Sequence, residues 1–362
     1  MTLPRIAVVG AGHLGRFHAK LSAGIDQLDL VAVADPSESH RTAVAAEAST
    51  RPVADYRELI GQIDAAVVAT PTVLHFEIVK QLLDAGVHVL CEKPLTPTLG
   101  EANELVAAAD ASGAVLQVGH VERFNPAVGL AAPRLRDPRL IRTTRTSGYT
   151  FRSTDIGAVL DLMIHDIDLV LSLVHSPVVS VQAMGLSVLG DNEDMVTAQL
   201  TFENGCVAQL NASRVSFQLE RTMQAYTSHG YVGVDFNTRQ ATFVEPREDV
   251  LRRGFHVGSL TGDEKDHLKA NLFDELLVKT TEEAPPINAI EEELKDFAHA
   301  ITTGSAPRVT GADGRDAVGV AEQILQKVEE HRWDGNAEGR HGAFATPAMP
   351  VLPIETPIRR AA

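Results

Sequence analysis

The stretch RIAVVGAGHLGRFHAKLSA, residues 5–23, determines how the first half of the chain is predicted to fold. It opens with a continuous apolar run, turns through Gly10, Gly12 and Gly15, and continues with apolar residues at helical spacing. A buried strand, a glycine turn and a helix in that order begin a doubly wound α/β sheet. Further apolar runs at LDLVAVADP, AAVVATP, HVLCEKP and AVLQVGH alternate with helical segments, which predicts a parallel sheet covered on both faces.

Gly10-Ala11-Gly12-His13-Leu14-Gly15 is a G-x-G-x-x-G motif between that strand and that helix. In such a turn the first glycine allows the bend, the second lets the backbone approach a pyrophosphate, and the third lets helix and strand pack closely. Asp35 follows Gly15 by 20 residues, where a carboxylate binds a ribose 2′-hydroxyl and repels a 2′-phosphate. The pattern predicts an NAD site. Arg41 leaves NADP open, and a glycine-rich turn beside a solvated aspartate is the structural alternative.

Polar residues follow the third, fourth and fifth predicted strands, at the same edge as the glycine turn. Because ligands of open α/β sheets bind beyond the carboxyl ends of the strands, these residues are predicted to outline one cleft. The clusters are Thr70-Pro71-Thr72 with His75, Glu92-Lys93-Pro94, and GHVERFNP at 119–126. The predicted cofactor-binding residues are Gly10, Gly12, His13, Leu14, Gly15, Asp35, Thr70, Pro71, His75, Glu92 and Lys93. For any one cluster, an ordinary strand-to-helix loop is the alternative.

LDLMIHDIDLV, residues 160–170, lies in a helix predicted over 157–174. Apolar residues recur along one face, whereas Asp161, His165 and Asp168 recur at i, i+4 and i+7 on another stripe. Polar groups inside a core cost free energy unless they are satisfied, so the stripe faces either water or a ligand. A purely structural Asp161–His165 pair is the alternative. Asp166 points off the stripe and is expected to be structural or solvated.

Strand-like runs dominate the second half of the chain. After about residue 126 the alternation of strands and helices stops, and an Asn-Gly hairpin turn is predicted at 203–205. Successive antiparallel strands with helices on one face predict an α+β domain with an open, mostly antiparallel sheet. The predicted division is a Rossmann domain at 1–125, the α+β domain at 126–310, a helix packing back on the first domain at 311–332, and a flexible tail or arm at 333–362.

Composition excludes several classes of function. The 362 residues carry a formal net charge of −16 and a pI near 5.3, which argues against nucleic acid or an anionic membrane surface as partner. Cys91 and Cys206 lie in apolar stretches, so buried thiols in a reducing compartment are expected. The first strand starts by about residue 5 and no apolar run reaches the ~18 residues that span a bilayer, so the protein is predicted to be cytoplasmic.

Three motifs in order resemble the glucose–fructose oxidoreductase / inositol dehydrogenase (Gfo/Idh/MocA) family: Gly10–Gly15, Glu92-Lys93-Pro94 and Asp161-x-x-x-His165. The resemblance covers residues 4–330. It implies an N-terminal Rossmann domain, and a C-terminal domain whose open sheet mediates homo-oligomerisation as a dimer or tetramer. It also implies hydride transfer between a nicotinamide and a carbinol carbon of a sugar or cyclitol.

Carried onto this chain, the resemblance implies Lys93, Asp161 and His165 as the catalytic group and a cis Lys93–Pro94 bond. Many members have a glycine pair before the catalytic helix. This chain has Asp155-Ile156-Gly157-Ala158 instead, so the approach to the substrate is expected to differ in shape.

Within the family, GHVERFNPA, DIGAVLDLMIHDIDL and FENGCVAQLNASR look most like the UDP-N-acetylglucosamine 3-dehydrogenase group. That resemblance implies oxidation of the C3 hydroxyl of a UDP-N-acetylhexosamine. Arg123, Arg152 and Arg214 are candidates to meet its diphosphate, because guanidinium binds such oxygens in paired geometry; surface or interdomain arginines are the alternative. The predicted substrate-binding residues are Arg123, Asn125, Arg152, Asp161, His165 and Arg214.

The chemistry of these side chains suits alcohol oxidation. A neutral histidine, with an unperturbed pKa of about 6.5, can accept a hydroxyl proton near pH 7, which is the role predicted for His165. Lys93 would stabilise developing alkoxide charge, and Asp161 would contact the same hydroxyls or orient the imidazole. No metal is required, and the histidines show no ligand spacing. A dehydrogenase of inositol or a free sugar stays open, as does an NAD-sensing protein without turnover, which has no need of all three residues.

Overall fold

The computed structural model describes residues 3–151, 154–189 and 192–331 of the chain. Two sheets, one from each half of the chain, form the framework. Cys91 and Cys206 are both buried free thiols. Arg152 and the segment predicted as a tail, 333–362, lie outside the described residues.

The first sheet is parallel throughout, as its continuous apolar strands predict. Its strands are β1 (Arg5–Val9), β2 (Asp29–Ala34), β3 (Arg51–Val53), β4 (Ala65–Val68), β5 (His88–Glu92) and β6 (Leu116–Gly119). They lie in the order β3-β2-β1-β4-β5-β6. This is the order of a doubly wound dinucleotide-binding sheet, in which the chain reverses direction across the sheet next to β1.

Helices cover both faces of this sheet. The α-helices of both halves, within the described residues, are α1 (His13–Ser22), α2 (Glu38–Glu47), α3 (His75–Asp84), α4 (Leu99–Ser112), α5 (Pro126–Ala131), α6 (Ile164–Val174), α7 (Glu248–Leu251), α8 (Gly262–Ala270), α9 (Ala289–Thr303) and α10 (Gly311–Glu330). Alternate residues of β1 point to opposite faces. Ile6 and Val8 join a core with α1 and α9, whereas Ala7 and Val9 join a core with α3 and α4.

The second sheet is open and mostly antiparallel, as predicted. Its strands are β7 (Pro138–Thr146), β8 (Val178–Leu186), β9 (Met195–Phe202), β10 (Val207–Ser213), β11 (Glu220–Thr227), β12 (Gly230–Asp235), β13 (Gln240–Pro246) and β14 (Leu277–Glu283). Their order is β14-β13-β12-β11-β7-β10-β9-β8, and only the β7–β10 pair is parallel in the described sheet. The predicted Asn-Gly turn joins β9 to β10, with Gly205 at φ +83°.

Helices α6 and α10 cover one face of the second sheet, and α10 also reaches the first. Ile167 of α6 and Ile324 of α10 share a core with the inward residues of β9 and β10. On the other side of α10, a Cβ at Gly314 would lie 2.5 Å from the Val118 side chain on β6, so glycine permits the close approach. Helix α9, within the predicted 126–310 domain, packs on the first sheet. The domain bounds themselves stay a prediction.

Strands β7 and β14 were not predicted from the sequence. β7 lies in the middle of the sheet, yet its core-facing positions include Thr143 and Arg145, so it lacks the apolar alternation of a half-buried strand. β14 is an edge strand and almost all of its residues are exposed, so it also lacks an apolar face. Both omissions arise because pairing and charge neutralisation, rather than apolar burial, stabilise these strands.

Gly15→Ala is expected to destabilise the first sheet. A Cβ at residue 15 would lie 1.8 Å from the carbonyl oxygen of Gly10, which is backbone and has no rotamer to relieve the clash. Chemical denaturation should show the free energy of unfolding reduced by about 3 kcal/mol or more. Gly12→Ala is the matched control, because a Cβ there meets nothing within 4 Å, so its stability should stay within about 0.5 kcal/mol of wild type. Equal stability of the two variants would contradict the close packing of α1 on β1.

Candidate active site

A cavity of about 680 Å³ lies beside the glycine turn, at the carboxyl edge of the first sheet. Gly10 adopts φ +100°, and a Cβ there would lie 2.5 Å from the Ala69 carbonyl oxygen, so the turn requires glycine. Gly12 borders open space, and α1 begins there without a side-chain cap. First-turn amides and the helix dipole favour an anion at this point. The predicted residues that line the cavity are Gly10, Gly12, Asp35, Thr70 and Pro71.

Asp35 presents a carboxylate to this cavity that two backbone amides hold in place. Oδ2 accepts a hydrogen bond from Ala11 N at 2.7 Å, and Oδ1 accepts one from Ser37 N at 2.8 Å. Each oxygen retains a lone pair for a hydroxyl donor. Arg41 instead donates to the carbonyl oxygens of Asp35 and Pro36, at 3.4 and 2.9 Å. The open space at Gly12, the free helix terminus and this carboxylate together fit a dinucleotide.

His75, predicted to bind the cofactor, lies behind the cavity wall rather than on it. Its side chain is buried, with Nδ1 2.9 Å from the Pro94 carbonyl oxygen and Nε2 3.0 Å from that of Thr70. Burial lowers the pKa of its imidazole, although the two carbonyls oppose that shift. The ring therefore links the loops after β4 and β5 and so positions Thr70 and Lys93 indirectly.

Glu92, also predicted to bind the cofactor, is buried beneath Lys93. Its carboxylate lies 2.7 Å from Nε2 of the buried His18 on α1, and it accepts a hydrogen bond from the Lys93 amide at 3.2 Å. A Cβ at Gly119 would meet this carboxylate at 3.1 Å, so the end of β6 is shaped around it. Glu92 is placed to support the loop that carries Lys93.

A second cavity, called the cleft below, adjoins the first across the glycine turn: Gly12 lines the first cavity, and His13 and Leu14 line the cleft. The cleft has a volume of about 560 Å³ and lies between the loops of the first sheet and the start of α6. The residues that line it are His13, Leu14, Lys93, Val121, Glu122, Arg145, Ser147, Gly148, Tyr149, Thr150, Asp161, Leu162, His165, Arg214, Leu219 and Arg221.

Lys93, Asp161 and His165 meet in this cleft. Lys93 Nζ donates to the Asp161 carbonyl oxygen at 2.7 Å and to its Oδ1 at 3.1 Å. The Lys93–Pro94 bond is cis. These hydrogen bonds join a loop of the first half of the chain to the helical segment of the second. Within the described residues, no hydrogen bond links Asp161 to His165, so Asp161 orients the ammonium group and not the imidazole.

The segment before His165 departs from the α-helix predicted over 157–174. Val159–Met163 form a π-turn, and α6 begins at Ile164. Such turns are rare in proteins, and those that occur are often found at functional sites. Because a π-turn changes the angular spacing of side chains, the predicted stripe does not persist. Asp161 and His165 line the cleft, whereas Asp168 lines a separate cavity beside α10.

Glu193 holds the start of this π-turn. Its Oε1 accepts a hydrogen bond from Val159 N at 2.9 Å, and its carbonyl oxygen accepts one from Ala158 N at 2.8 Å. A Cβ at Gly157 would lie 2.1 Å from Oε1, so glycine makes room for the carboxylate. Burial raises the pKa of Glu193. The Glu193 carboxylate therefore explains why glycine is needed at residue 157, in the segment where many members of the resembled family have a glycine pair.

His165 lies partly buried in the cleft wall, and its surroundings favour the neutral imidazole. Burial lowers its pKa well below the usual value, and the positive charges of Lys93 and Arg145 lower it further. The ring packs edge to face against buried His120, with centroids 6.2 Å apart. His120 and the two cations therefore help to keep the imidazole of His165 neutral near pH 7. A neutral imidazole can accept a proton.

Arg214, one of the predicted diphosphate partners, lines the cleft but is already paired. Its Nε donates to Asp194 at 2.7 Å, and its Nη1 donates to the Ile156 carbonyl oxygen at 2.7 Å. The guanidinium is buried and lies over the Tyr149 ring. It therefore supports the wall of the cleft rather than presenting a free cation.

Arg123 and Asn125, the other described candidates, lie outside the cleft. Arg123 forms a paired salt bridge with Asp168, at 2.7 and 2.9 Å, and faces the separate cavity beside α10. Asn125 caps α5 by accepting a hydrogen bond from Ala127 N at 3.0 Å. The acids of the second half engage Arg123, and the helix start engages Asn125. The role of these two residues in substrate binding stays a prediction.

Arg145 and Arg221 line the cleft, although sequence reasoning did not single them out. Arg145 is buried and bonds Glu122 at 2.7 Å and Asp166 at 2.8 Å. Asp166 is thus structural and not solvated. Charged residues in a strand are usually exposed, so no local signal marks Arg145 as buried. Its partner Glu122 belongs to the 119–126 cluster, which the sequence already placed at the edge of the predicted cleft.

The arrangement can deprotonate an alcohol. A neutral imidazole and an ammonium group face the same cleft, so the first can accept the hydroxyl proton and the second can stabilise the resulting oxyanion. The adjoining cavity fits a dinucleotide. Across residues 3–151, 154–189 and 192–331, no group of three or more His, Cys, Asp and Glu side chains is placed to hold a metal ion. None of the helices in the described part of the chain is long and apolar enough to cross a membrane.

Comparison with known proteins agrees with the fold. The model of an oxidoreductase family with an NAD-binding Rossmann fold matches residues 4–120, and that of the GFO/IDH/MocA C-terminal domain matches residues 130–232. The UDP-N-acetylglucosamine 3-dehydrogenase of Acidithiobacillus ferrooxidans is 34% identical over 326 residues, which are 90% of this chain and 97% of that protein.

Two further similarities are consistent with this match. A solved structure of UDP-N-acetylglucosamine 3-dehydrogenase from Acidithiobacillus ferrooxidans superposes with a TM-score of 0.79 at 32% identity, covering 91% of this chain and 99% of that one. An inositol 2-dehydrogenase of Rhizobium meliloti is 28% identical over 348 residues, covering 91% of this chain and 98% of that protein. The chain belongs to the GFO/IDH/MocA family of NAD-binding oxidoreductases.

Proposed function

We propose that this protein oxidises the C3 hydroxyl of a UDP-N-acetylhexosamine to a ketone, with NAD as hydride acceptor. The observation that carries the proposal is the meeting of Lys93, Asp161 and His165 in a cleft that adjoins the dinucleotide cavity. Similarity to a UDP-N-acetylglucosamine 3-dehydrogenase over 97% of its length supports the substrate. Because inositol 2-dehydrogenases are also similar over most of the chain, inositol is the comparison substrate.

The cleft residues have distinct roles in this reaction. His165 accepts the proton of the substrate hydroxyl, and the Lys93 ammonium stabilises the alkoxide that forms. Asp161 holds Lys93 through two hydrogen bonds and so fixes where the positive charge lies. A nicotinamide dinucleotide held beside Gly12 and Asp35 would supply the acceptor for the hydride of the same carbon. A low pKa makes His165 a weak base, and the ammonium offsets this because it also makes the hydroxyl more acidic.

The cofactor cavity favours NAD over NADP in this proposal. Gly12 and the start of α1 would hold the pyrophosphate, and Asp35 would accept hydrogen bonds from the adenosine ribose. A 2′-phosphate would meet the Asp35 charge. Arg41 lies close by in the chain, but its guanidinium donates to backbone carbonyls.

Purified protein with NAD and UDP-N-acetylglucosamine is expected to form NADH, measured by absorbance with hydroxylamine present to trap the ketone. His165→Ala should lower kcat by about 100- to 10,000-fold, because the hydroxyl proton loses its acceptor. His299→Ala is the matched control, since this histidine is exposed on α9 and outside the cleft lining, and it should leave the rate unchanged.

The substrate assignment has its own controls in the same assay. Myo-inositol and free N-acetylglucosamine should be oxidised at least about 100-fold less efficiently, because they lack the diphosphate that adds charge-assisted contacts. Turnover of inositol without turnover of the nucleotide sugar would assign the protein to the other branch of the family. Binding of NAD without turnover of any of the three would exclude the proposed reaction.

The acid limb of the kcat/KM profile is expected well below pH 6.5. The lowered pKa of His165 means that the imidazole stays neutral through pH 7 and is protonated, and therefore inactive as a base, only at lower pH. In Lys93→Gln a neighbouring positive charge is lost, so the pKa of His165 should rise. NMR titration of the ring protons measures this without requiring activity. Lys80→Gln is the control, because Lys80 is paired with Asp84 on α3; an equal shift there would refute the assigned cause.

Asp35→Ser is expected to raise the ratio of kcat/KM with NADP to that with NAD by about 100-fold, since a like-charge contact of several kcal/mol is removed. Serine retains an acceptor near Ala11 N, which limits disturbance of the turn. Steady-state kinetics with both cofactors provides the ratio. Arg41→Ala should change it little, because its guanidinium bonds carbonyl oxygens. A wild type that uses both cofactors equally would contradict the role of Asp35.

A further inference from the structure

Two arginines stand opposite each other on neighbouring strands at the floor of the cleft. Arg145 of β7 and Arg221 of β11 are register partners in an antiparallel pair, so their side chains emerge on the same face of the sheet. That face is the one covered by α6, and both residues line the cleft. Like charges directly opposite each other destabilise a sheet, so the pair requires an explanation.

Only one of these guanidinium groups is neutralised within the described residues. Arg145 bonds Glu122 and Asp166, both within 2.8 Å. Arg221, in contrast, has no carboxylate within 4 Å in the described part of the chain, and neither acid of the Arg145 group reaches it. The surplus carboxylate beside Arg145 offsets part of the repulsion at longer range. It does not satisfy the donors of Arg221, which remain available in the cleft.

The other lysine and arginine side chains of the described cleft lining are already paired. Lys93 is held by Asp161, and Arg214 by Asp194. In a protein with a net charge of −16, a partly buried guanidinium without an acidic partner is exceptional among its cleft neighbours. Five donors in a planar fork suit two oxygens of one anion, and such contacts are strongest where water is partly excluded.

The surroundings of Arg221 suit an anion that carries an apolar ring. Leu219, two residues away, lines the cleft and is 65% exposed, and Tyr149 lines the same cleft. The Tyr149 ring meets that of Phe151, which is 80% exposed, edge to face at 5.0 Å. Exposed apolar side chains at the edge of a charged cleft would be stabilised by contact with a nucleobase, which removes them from water.

We propose that Arg221 binds the diphosphate of a nucleotide-sugar substrate and is the specificity residue that separates such substrates from free sugars and cyclitols. This inference rests on the proposed function, because it places the sugar at Lys93 and His165. It replaces Arg123 and Arg214, whose guanidinium groups are engaged by Asp168 and Asp194. A cleft of about 560 Å³ lies within the usual range of ligand pockets.

Calorimetric titration of the NAD-loaded protein with UDP tests the proposal without requiring turnover. Arg221→Gln should weaken UDP binding about 10- to 100-fold, because charge-assisted hydrogen bonds to phosphate are lost. Arg221→Lys keeps the charge but not the paired geometry, so its loss should be smaller, about three- to tenfold. Arg139→Gln is the matched control: Arg139 is exposed at the other end of β7, outside the cleft lining, and its removal should leave the UDP affinity unchanged.

Pyrophosphate and inorganic phosphate separate the sources of the anion. Pyrophosphate should compete with UDP in the wild type and lose affinity in Arg221→Gln, whereas phosphate should bind weakly to both. If phosphate binds as tightly as UDP, the site is a general anion site and the nucleotide assignment is overturned. Should Arg221→Gln fail to fold or to hold NAD, the Arg221→Lys comparison decides in its place.

Steady-state kinetics then distinguishes failure of this inference from failure of the proposed function. In Arg221→Gln, KM for the nucleotide sugar should rise about 10- to 100-fold while kcat changes less than about threefold, the pattern of lost ground-state binding. Wild-type turnover with an unchanged KM in the variant would overturn the role of Arg221 and leave the reaction intact. UDP binding that depends on Arg221, without turnover of the nucleotide sugar, would overturn the reaction and leave the diphosphate site intact.

Discussion

A buried guanidinium on the second sheet links the two halves of this molecule. Arg145 is 3% exposed and bonds Glu122, from the loop after β6, and Asp166, from α6. Burial alone would lower its pKa, but the charges of the two acids raise it. Loss of Arg145 would leave these two buried carboxylates without a counter-charge at a cost of about 3–5 kcal/mol, so strand, loop and helix keep one arrangement. Because Asp166 adjoins His165, the same bonds fix the face that α6 turns toward the cleft.

The cations around the cleft act together as well as singly. Lys93, Arg145 and Arg221 each lower the pKa of His165, after the larger effect of burial. A field that keeps the imidazole neutral is also one that attracts an anionic substrate, although the whole protein is acidic. The charges next to His165 are therefore a local feature of the cleft, which the net charge of the whole protein does not describe. Proton acceptance and anion binding draw on the same local potential.

How much could be predicted from the sequence depended on whether the determinants are local. The glycine turn could be identified because its three glycines lie within six consecutive residues between one strand and one helix. The state of an arginine depends on acids far along the chain: Asp168 is 45 residues from Arg123, and Asp194 is 20 residues from Arg214. No spacing rule shows which guanidinium stays free, so Arg221 could be found only from the folded arrangement. The π-turn was not predicted for a related reason, because Glu193 bonds the backbone amides of Ala158 and Val159, which are far from it in the sequence.

The contact between Glu193 and Gly157 also constrains how this protein can evolve. The carboxylate occupies the space that any side chain at residue 157 would need. Loss of the acid alone would leave the Val159 amide unsatisfied at the start of the catalytic segment. A side chain at residue 157 is therefore compatible with this arrangement only if the acid at residue 193 moves or is replaced, so the identity of one position conditions what the other can be.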